Sequence, residues 1–142
     1  MLTELQSRKE IILIGPQQSD KSTKFSGVEN EIFWSPNQGL HTTNGKDLSP
    51  TTMLNHEVDH ALDALKNPDK HEENGKQGSD SQYDSKEEKR VITGSEQETA
   101  KKLGEIKDGE VTRTDHRGDW ITTADPTSNK EVKQDKSKKD KP

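Results

Sequence analysis

Cysteine is absent from the 142 residues. That excludes a disulfide scaffold, a thiol nucleophile and a cysteine-ligated zinc knuckle. Apolar residues are scarce at 23% and aromatics at 4%, whereas 35% of the chain is charged. A core of at most one domain is therefore expected, built from ~100 residues, with polar loops and a loose end. A basic excess is also missing: the net charge is -5, which gives no support to nucleic-acid binding. No apolar run approaches the ~18 residues of a membrane span. The opening "MLTELQSRKE" lacks the apolar stretch of a secretory signal. The expectation is a protein that is cytoplasmic where made, with export as an effector, or as part of a larger secreted protein, left open.

What apolar residues there are fall into short, punctuated runs. "RKEIILIG" (8–15) and "NEIFWSP" (30–36) read as strands. Between them "PQQSDKSTKFSG" reads as a polar loop, and a short edge strand is expected around residues 40–42. The clearest helix follows. Ser49 is a good N-cap, Pro50 suits the first helical position, and Asn67-Pro68 ends it. It carries two apolar stripes, Met53 with Ala61 and Ala64, and Leu54 with Val58, Leu62 and Leu65. A helix apolar on most sides lies centrally in its domain.

Residues 67–84 read as a long hydrophilic loop, and a second helix is expected over 85–104, capped by Asp84 or Ser85 and weakened by Gly94. "GEVTRT" and "DWITT" suggest a hairpin around residues 110–123. The end, "SNKEVKQDKSKKDKP", reads as a disordered lysine-rich tail.

The central helix contains His56, Glu57 and His60 in the pattern HExxH. Histidines four apart lie one turn apart on one face, so both imidazoles can reach one metal. Zinc lowers the pKa of a bound water to near ~7, and the neighbouring glutamate takes its proton. The competing reading is a pair of surface or core histidines. Chance would seldom set this motif mid-helix in a capped apolar frame.

Such a site needs a third protein ligand. Lys66 stands where a metzincin has its third histidine, and Asp63 where it has glycine, which excludes that subclass. A glutamate from the second helix is the alternative. Glu88 and Glu96 share a face with Ile92, Ala100 and Leu103, and an acidic group on an inward face is costly unless paired or metal-bound. Glu88 is the preferred ligand; Glu96 is the alternative, or a partner orienting a histidine. Glu87 is better placed for capping, and Glu88 itself is open to a capping role alone.

"SPTTMLNHEVDHALD", "KEEKRVITGSEQETAKKLGE" and "TRTDHRGDW" together resemble the effector-type (NleD-like) zinc metallopeptidases, which include type III effectors and C-terminal toxin domains of Rhs-type bacterial proteins. The resemblance covers residues 32–129. It implies His56 and His60 as zinc ligands, Glu57 as base and the third ligand in the second helix. Many relatives read HELGH where this chain has Val58-Asp59. Asp59 either disturbs the metal's surroundings or pairs with a group further out.

A peptidase of this type also needs a donor to the oxyanion, for which His116, Arg113 and Tyr83 are candidates, His116 foremost. His41 and His71 are expected at the surface, His71 being a weak alternative ligand. The expected fold is α+β: a small zincin-like domain over 1–129, with a short, mostly antiparallel sheet packed on the HExxH helix and a second, glutamate-bearing helix, followed by the tail 130–142. The expected activity is zinc-dependent (Zn2+) endopeptidase action on a protein or peptide, with "GLHTT" as the strand that pairs with substrate. The alternative is a non-catalytic, metal-stabilised protein-binding module; a solvated interaction domain without metal is a weaker third. Neither nucleic acid nor membrane is expected as a partner, and the oligomeric state is open.

Overall fold

The computed structural model describes residues 12–14, 23–27 and 30–132. Two three-stranded sheets flank a set of helices. The first sheet holds β1 (Ile12–Ile14), β2 (Lys24–Ser26) and β3 (Glu31–Phe33), in the order β1-β3-β2. β1 runs parallel to β3 and β2 antiparallel to it. The second sheet, with order β5-β4-β6, is antiparallel and comprises β4 (Gln38–Thr42), β5 (Asp47–Leu48) and β6 (Gly118–Thr122). Between β5 and β6 lie α1 (Pro50–Lys66), α2 (Pro68–Asn74), α3 (Lys86–Val91), a π-helical turn over Ile92–Glu96, and α4 (Gln97–Lys102). The architecture is the small α+β fold expected, with the HExxH helix at its centre.

α1 begins and ends where its sequence directs. Ser49 Oγ accepts from the Thr52 N–H at 3.2 Å, and Pro50 needs no partner for a missing N–H. The Glu105 carboxylate adds a second anchor, accepting from Ser49 N–H at 3.0 Å and Thr52 Oγ1 at 2.8 Å. Leu54, Val58, Ala61 and Leu62 pack with Ile32 of the first sheet, with Phe25, Trp34 and Leu65 at the margin. Met53 joins Leu40 and Leu48 of the second sheet, with Ala100 and Ile106. α1 therefore belongs to both apolar clusters. Each large buried side chain contributes about 1.5–3 kcal/mol of burial free energy, so two small clusters on one helix suffice to seat it between the sheets.

Several local readings are overturned by long-range packing. Lys24–Ser26, expected within a loop, forms β2 because Phe25 can lie against the α1 cluster. β4 is the middle strand of its sheet and not an edge. Gly39 permits this, since a Cβ there would collide with the Leu48 carbonyl oxygen. The loop expected at 67–84 contains α2: Asn67 terminates α1, and Pro68 immediately starts another helix. The 110–123 hairpin does not form. β6 pairs with β4 instead, and residues 111–113 are held by other bonds: Asn44 Nδ2 to the Val111 carbonyl, and Thr112 and Arg113 side chains to Glu96.

The second helix is capped by Ser85, whose Oγ accepts from Glu88 N–H at 3.0 Å, and ends before Gly104 at φ 77°. Leu103, expected inward, is exposed as the chain turns away at the helix end, while Ile92 and Ala100 are buried. Gly94 lies in the π turn. Residues eight apart in a regular helix point about 80° apart around the axis; one extra residue in a turn reduces that to about 20°. The π turn thus brings Glu88 and Glu96 onto one face. Of the expected tail, Glu131 bridges to Thr123, and Val132 N–H donates to the Thr122 carbonyl at 2.7 Å; residues 133–142 lie outside the described residues.

Two glycines should respond oppositely to alanine. Gly39→Ala meets a backbone oxygen that cannot move aside and should cost about 1–3 kcal/mol. Gly94→Ala meets nothing within 4 Å and should be neutral or stabilise by up to about 1 kcal/mol. Denaturant unfolding of the two variants measures both, and equal effects would contradict the packing described.

Candidate active site

α1 and the helix formed by α3, the π turn and α4 pack antiparallel, and their facing sides are charged. His56 and His60 are buried on α1. Their Nε2 atoms lie 3.1 Å apart. Glu88 spans the pair, with Oε1 3.0 Å from His56 Nε2 and Oε2 3.0 Å from His60 Nε2. Glu57 lies alongside, its Oε2 3.6 Å from His56 Nε2. Its other oxygen accepts from the Phe25 N–H of β2 at 2.7 Å.

The far nitrogens of both imidazoles are committed. His56 Nδ1 is 2.8 Å from Glu96 Oε1, and His60 Nδ1 is 2.9 Å from Glu87 Oε2. A carboxylate only accepts, so each Nδ1 carries the proton. Each carboxylate is clamped in turn by an arginine. Arg113 donates to Glu96 through Nη2 at 2.7 Å and Nε at 3.1 Å, joined by Thr112 Oγ1 at 2.6 Å. Arg90 donates to Glu87 through Nη2 at 2.8 Å and Nε at 2.9 Å. Asp59 does not intrude on the histidines: it accepts from Arg90 Nη1 at 2.9 Å and Ser95 Oγ at 2.5 Å.

These contacts set the charge states. Burial opposes charge on the imidazoles, yet hydrogen bonds donated to Glu88 and Glu96 raise His56 to about 9. Against the same burial, bonds donated to Glu87 and Glu88 raise His60 to about 10. Burial likewise opposes ionisation of the carboxylates. His60 and Arg90 nevertheless hold Glu87 down at about 2, and His56 and Arg113 hold Glu96 at about 2. The two histidines hold Glu88 well below the usual carboxylate range.

The donor set fits a divalent metal. Each imidazole keeps its Nδ1 proton in a bond to a carboxylate, so exchange of the Nε2 protons for a divalent cation would leave two Nε2 lone pairs and the Glu88 carboxylate turned toward one point. Metal–ligand bonds of about 2.0–2.1 Å put tetrahedral ligand atoms about 3.3 Å apart, close to the 3.0–3.1 Å separations seen. Among the carboxylates touching the imidazoles, Glu87 and Glu96 have their arginines, which leaves the charges of Glu57 and Glu88 facing the open side. A second group, Asp63, His71 and Glu87, also gathers ligand atoms. There, however, Glu87 is already committed to His60 and Arg90, and His71 Nδ1 lies closer to Asp63, at 2.8 Å, than to Glu87, at 3.5 Å.

The open side is a cleft of about 710 Å³ lined by Lys24 and Phe25 on one wall and by His116, Arg117, Gly118 and Trp120 on the other, with Glu57 and Glu88 in its floor. His116 is 41% exposed, with Nε2 3.4 Å from Glu88 Oε1. Arg113 reaches the cleft, but its guanidinium is spent on Glu96, so it is not a free oxyanion donor. Tyr83 is buried and does not line the cleft. His41 is at the surface, paired with Asp47 at 2.5 Å. His71 is half-buried and wedged edge-on toward Phe25 and His60, since α2 folds back over this end of α1. Glu87, expected to serve as a cap, is buried on His60, and Arg90 was not singled out from sequence; the adjacent Glu87-Glu88 pair and the arginine three residues on were the available signals.

An HExxH helix crossed by a glutamate-bearing helix, beneath an open cleft, is the arrangement of a metallopeptidase. A family model, Peptidase_M91, described as effector protein, matches residues 1–116, and the chain belongs to this effector-type metallopeptidase family. No curated protein and no solved structure matches it. Membership implies a protein substrate and fits a secreted or host-delivered protein. Among the described residues no helix is long and apolar enough to cross a membrane.

The pH dependence of the metal-free protein follows from the shifts above. The raised histidines contribute stability that is complete below their ordinary 6.5 and lost as pH rises through about 9–10. The lowered glutamates contribute stability that is complete above their ordinary 4.5 and lost as pH falls toward about 2. Chelator-treated protein should therefore melt highest between about pH 4.5 and 6.5, as thermal melts across a pH series would show; a maximum above pH 8 would contradict the pairing.

Proposed function

We propose that the chain is a zinc-dependent endopeptidase in which His56, His60 and Glu88 hold the metal and Glu57 is the general base. The convergence of two Nε2 atoms and the Glu88 carboxylate on one point, open on its cleft side, is the observation that carries this reading. Two histidines and a glutamate form a ligand set suited to catalytic zinc. Zinc, when bound, supplies a Lewis acid that makes water a nucleophile near neutral pH and polarises a carbonyl.

The chain's own residues perform the proton transfers. Phe25 N–H fixes one Glu57 oxygen and leaves Oε2 to take a proton from the attacking water. As the water oxygen bonds to the carbonyl carbon and the C–N bond breaks, Glu57 returns that proton to the departing nitrogen. His116, at the cleft wall, is placed to donate to the oxygen that gains charge. Glu96 orients His56 and Glu87 orients His60, each accepting a hydrogen bond from Nδ1–H.

The expected substrate strand needs replacing. β4 is paired on both sides and has no free edge. Among the described residues β6 keeps one only at its start: the outer edge at Thr122 is taken by Val132 N–H, and the two-residue alternation turns the backbone groups of Trp120 and Gly118 to the same outer side, where both residues line the cleft. An extended peptide adding to β6 would run over Glu57 and Glu88. The open cleft favours catalysis over the binding-module alternative, for which a closed metal shell is expected.

Glu57→Gln should retain metal content and melting temperature while hydrolysis of any cleaved protein falls by about 10²–10⁴-fold. Undiminished turnover would rule out the base. Among metal-affinity variants, Glu88→Ala should show the largest loss. Glu96→Ala and Glu87→Ala should each lose about 10–100-fold. Chelator competition ranks the three, and a greater loss at Glu96 than at Glu88 would reassign the ligand.

A further inference from the structure

The carboxylates that hold the two histidines are supported differently. Glu96 is buried and receives three donors, from Thr112 and Arg113. Glu87 depends on Arg90, whose side chain is 43% exposed and would otherwise be free to swing into water. What restrains Arg90 is Asp59, one residue before His60 on the opposing helix. Its Oδ1 takes Arg90 Nη1 at 2.9 Å, and its Oδ2 is pinned by Ser95 Oγ from the π turn. Arg90 in turn grips both Glu87 oxygens, at 2.9 and 2.8 Å, and Glu87 Oε2 holds His60 Nδ1. The path leaves α1 at Asp59, crosses to Arg90 and Glu87, and returns to α1 at the next residue.

We propose that Asp59 and Arg90 are positioning residues for the metal centre, setting the orientation of the His60 imidazole through Glu87. The inference rests on His60 being a ligand. Asp59 touches neither histidine, so its influence must pass through the guanidinium. The π turn contributes too, because it carries Ser95 to the second Asp59 oxygen.

Charge makes the inference testable by sign. Were these groups to act on a divalent metal only through their fields, neutralising Asp59 would weaken metal binding, but neutralising Arg90 would strengthen it. Positioning through Glu87 requires that both weaken it. The experiment measures zinc affinity of the full chain by competition with a chromophoric chelator, for wild type, Asp59→Asn, Arg90→Gln, Arg90→Lys and the Asp59→Asn/Arg90→Gln pair. Cobalt(II) absorption of each reports the geometry at the metal, and circular dichroism of the chelator-treated proteins verifies folding.

Arg90→Gln should lose about 10-fold or more in affinity, Asp59→Asn a smaller amount, and the pair no more than Arg90→Gln alone, because both act along one path. Arg90→Lys should recover little, since an ammonium cannot grip both oxygens in parallel. Unchanged or tighter binding by folded Arg90→Gln, or full additivity in the pair, would overturn the proposal. Should Arg90→Gln fail to fold, Asp59→Asn with an unchanged cobalt spectrum and affinity would overturn it alone. Failure of wild-type protein to bind zinc or cobalt would instead refute the metal reading itself.

Discussion

Four carboxylates and two imidazoles meet between α1 and the helix packed against it, most of them cut off from water. An unpaired ion in such a place costs several kcal/mol, so the way these groups pair constrains how the two helices can lie. The antiparallel crossing satisfies them in one register: His60 opposite Glu87, His56 opposite Glu96, Glu88 between. Moving either helix by one residue would bring apolar side chains against charges and strand the carboxylates. The two apolar clusters on α1 supply the burial that holds the helix there, one from each sheet.

The same pairing gives the site two unlike sides. Behind the histidines, arginines fix the carboxylates and the Nδ1 protons. In front, Glu57 and Glu88 remain partly exposed, at 12% and 19%, in the floor of the cleft. A site made rigid behind and open in front suits chemistry on a large substrate, because the imidazole nitrogens and carboxylate oxygens are already oriented before anything binds. The two sheets share the work: β2 sends the Phe25 N–H to Glu57, while the chain entering β6 brings His116 to the cleft.

The π turn connects the fold with the site. It brings Glu96 and Glu88 onto one face, and it places Ser95 against Asp59. Asp59 pairs with an outer arginine and leaves the two imidazoles unobstructed.

Much of the site was legible from neighbouring residues. Ser49-Pro50 and Asn67-Pro68 bounded α1, and the spacing of His56 and His60 put both on one face, because hydrogen bonding within a helix depends on near neighbours alone. Ser85, Gly104 and the inward glutamates were readable for the same reason, although Glu88 and Glu96 come into line through a π turn that spacing alone did not reveal. Partnership across the chain was not legible. β2 lay in a polar stretch, β6 chose β4 over the nearer 110–115, α2 formed inside an apparent loop, and Glu87 turned inward from a capping position. Those outcomes depend on which buried charges and strand edges find partners tens of residues away. Only the closed tertiary structure decides that, because a carboxylate one helix position to either side has the same local sequence energetics and differs only in what it meets.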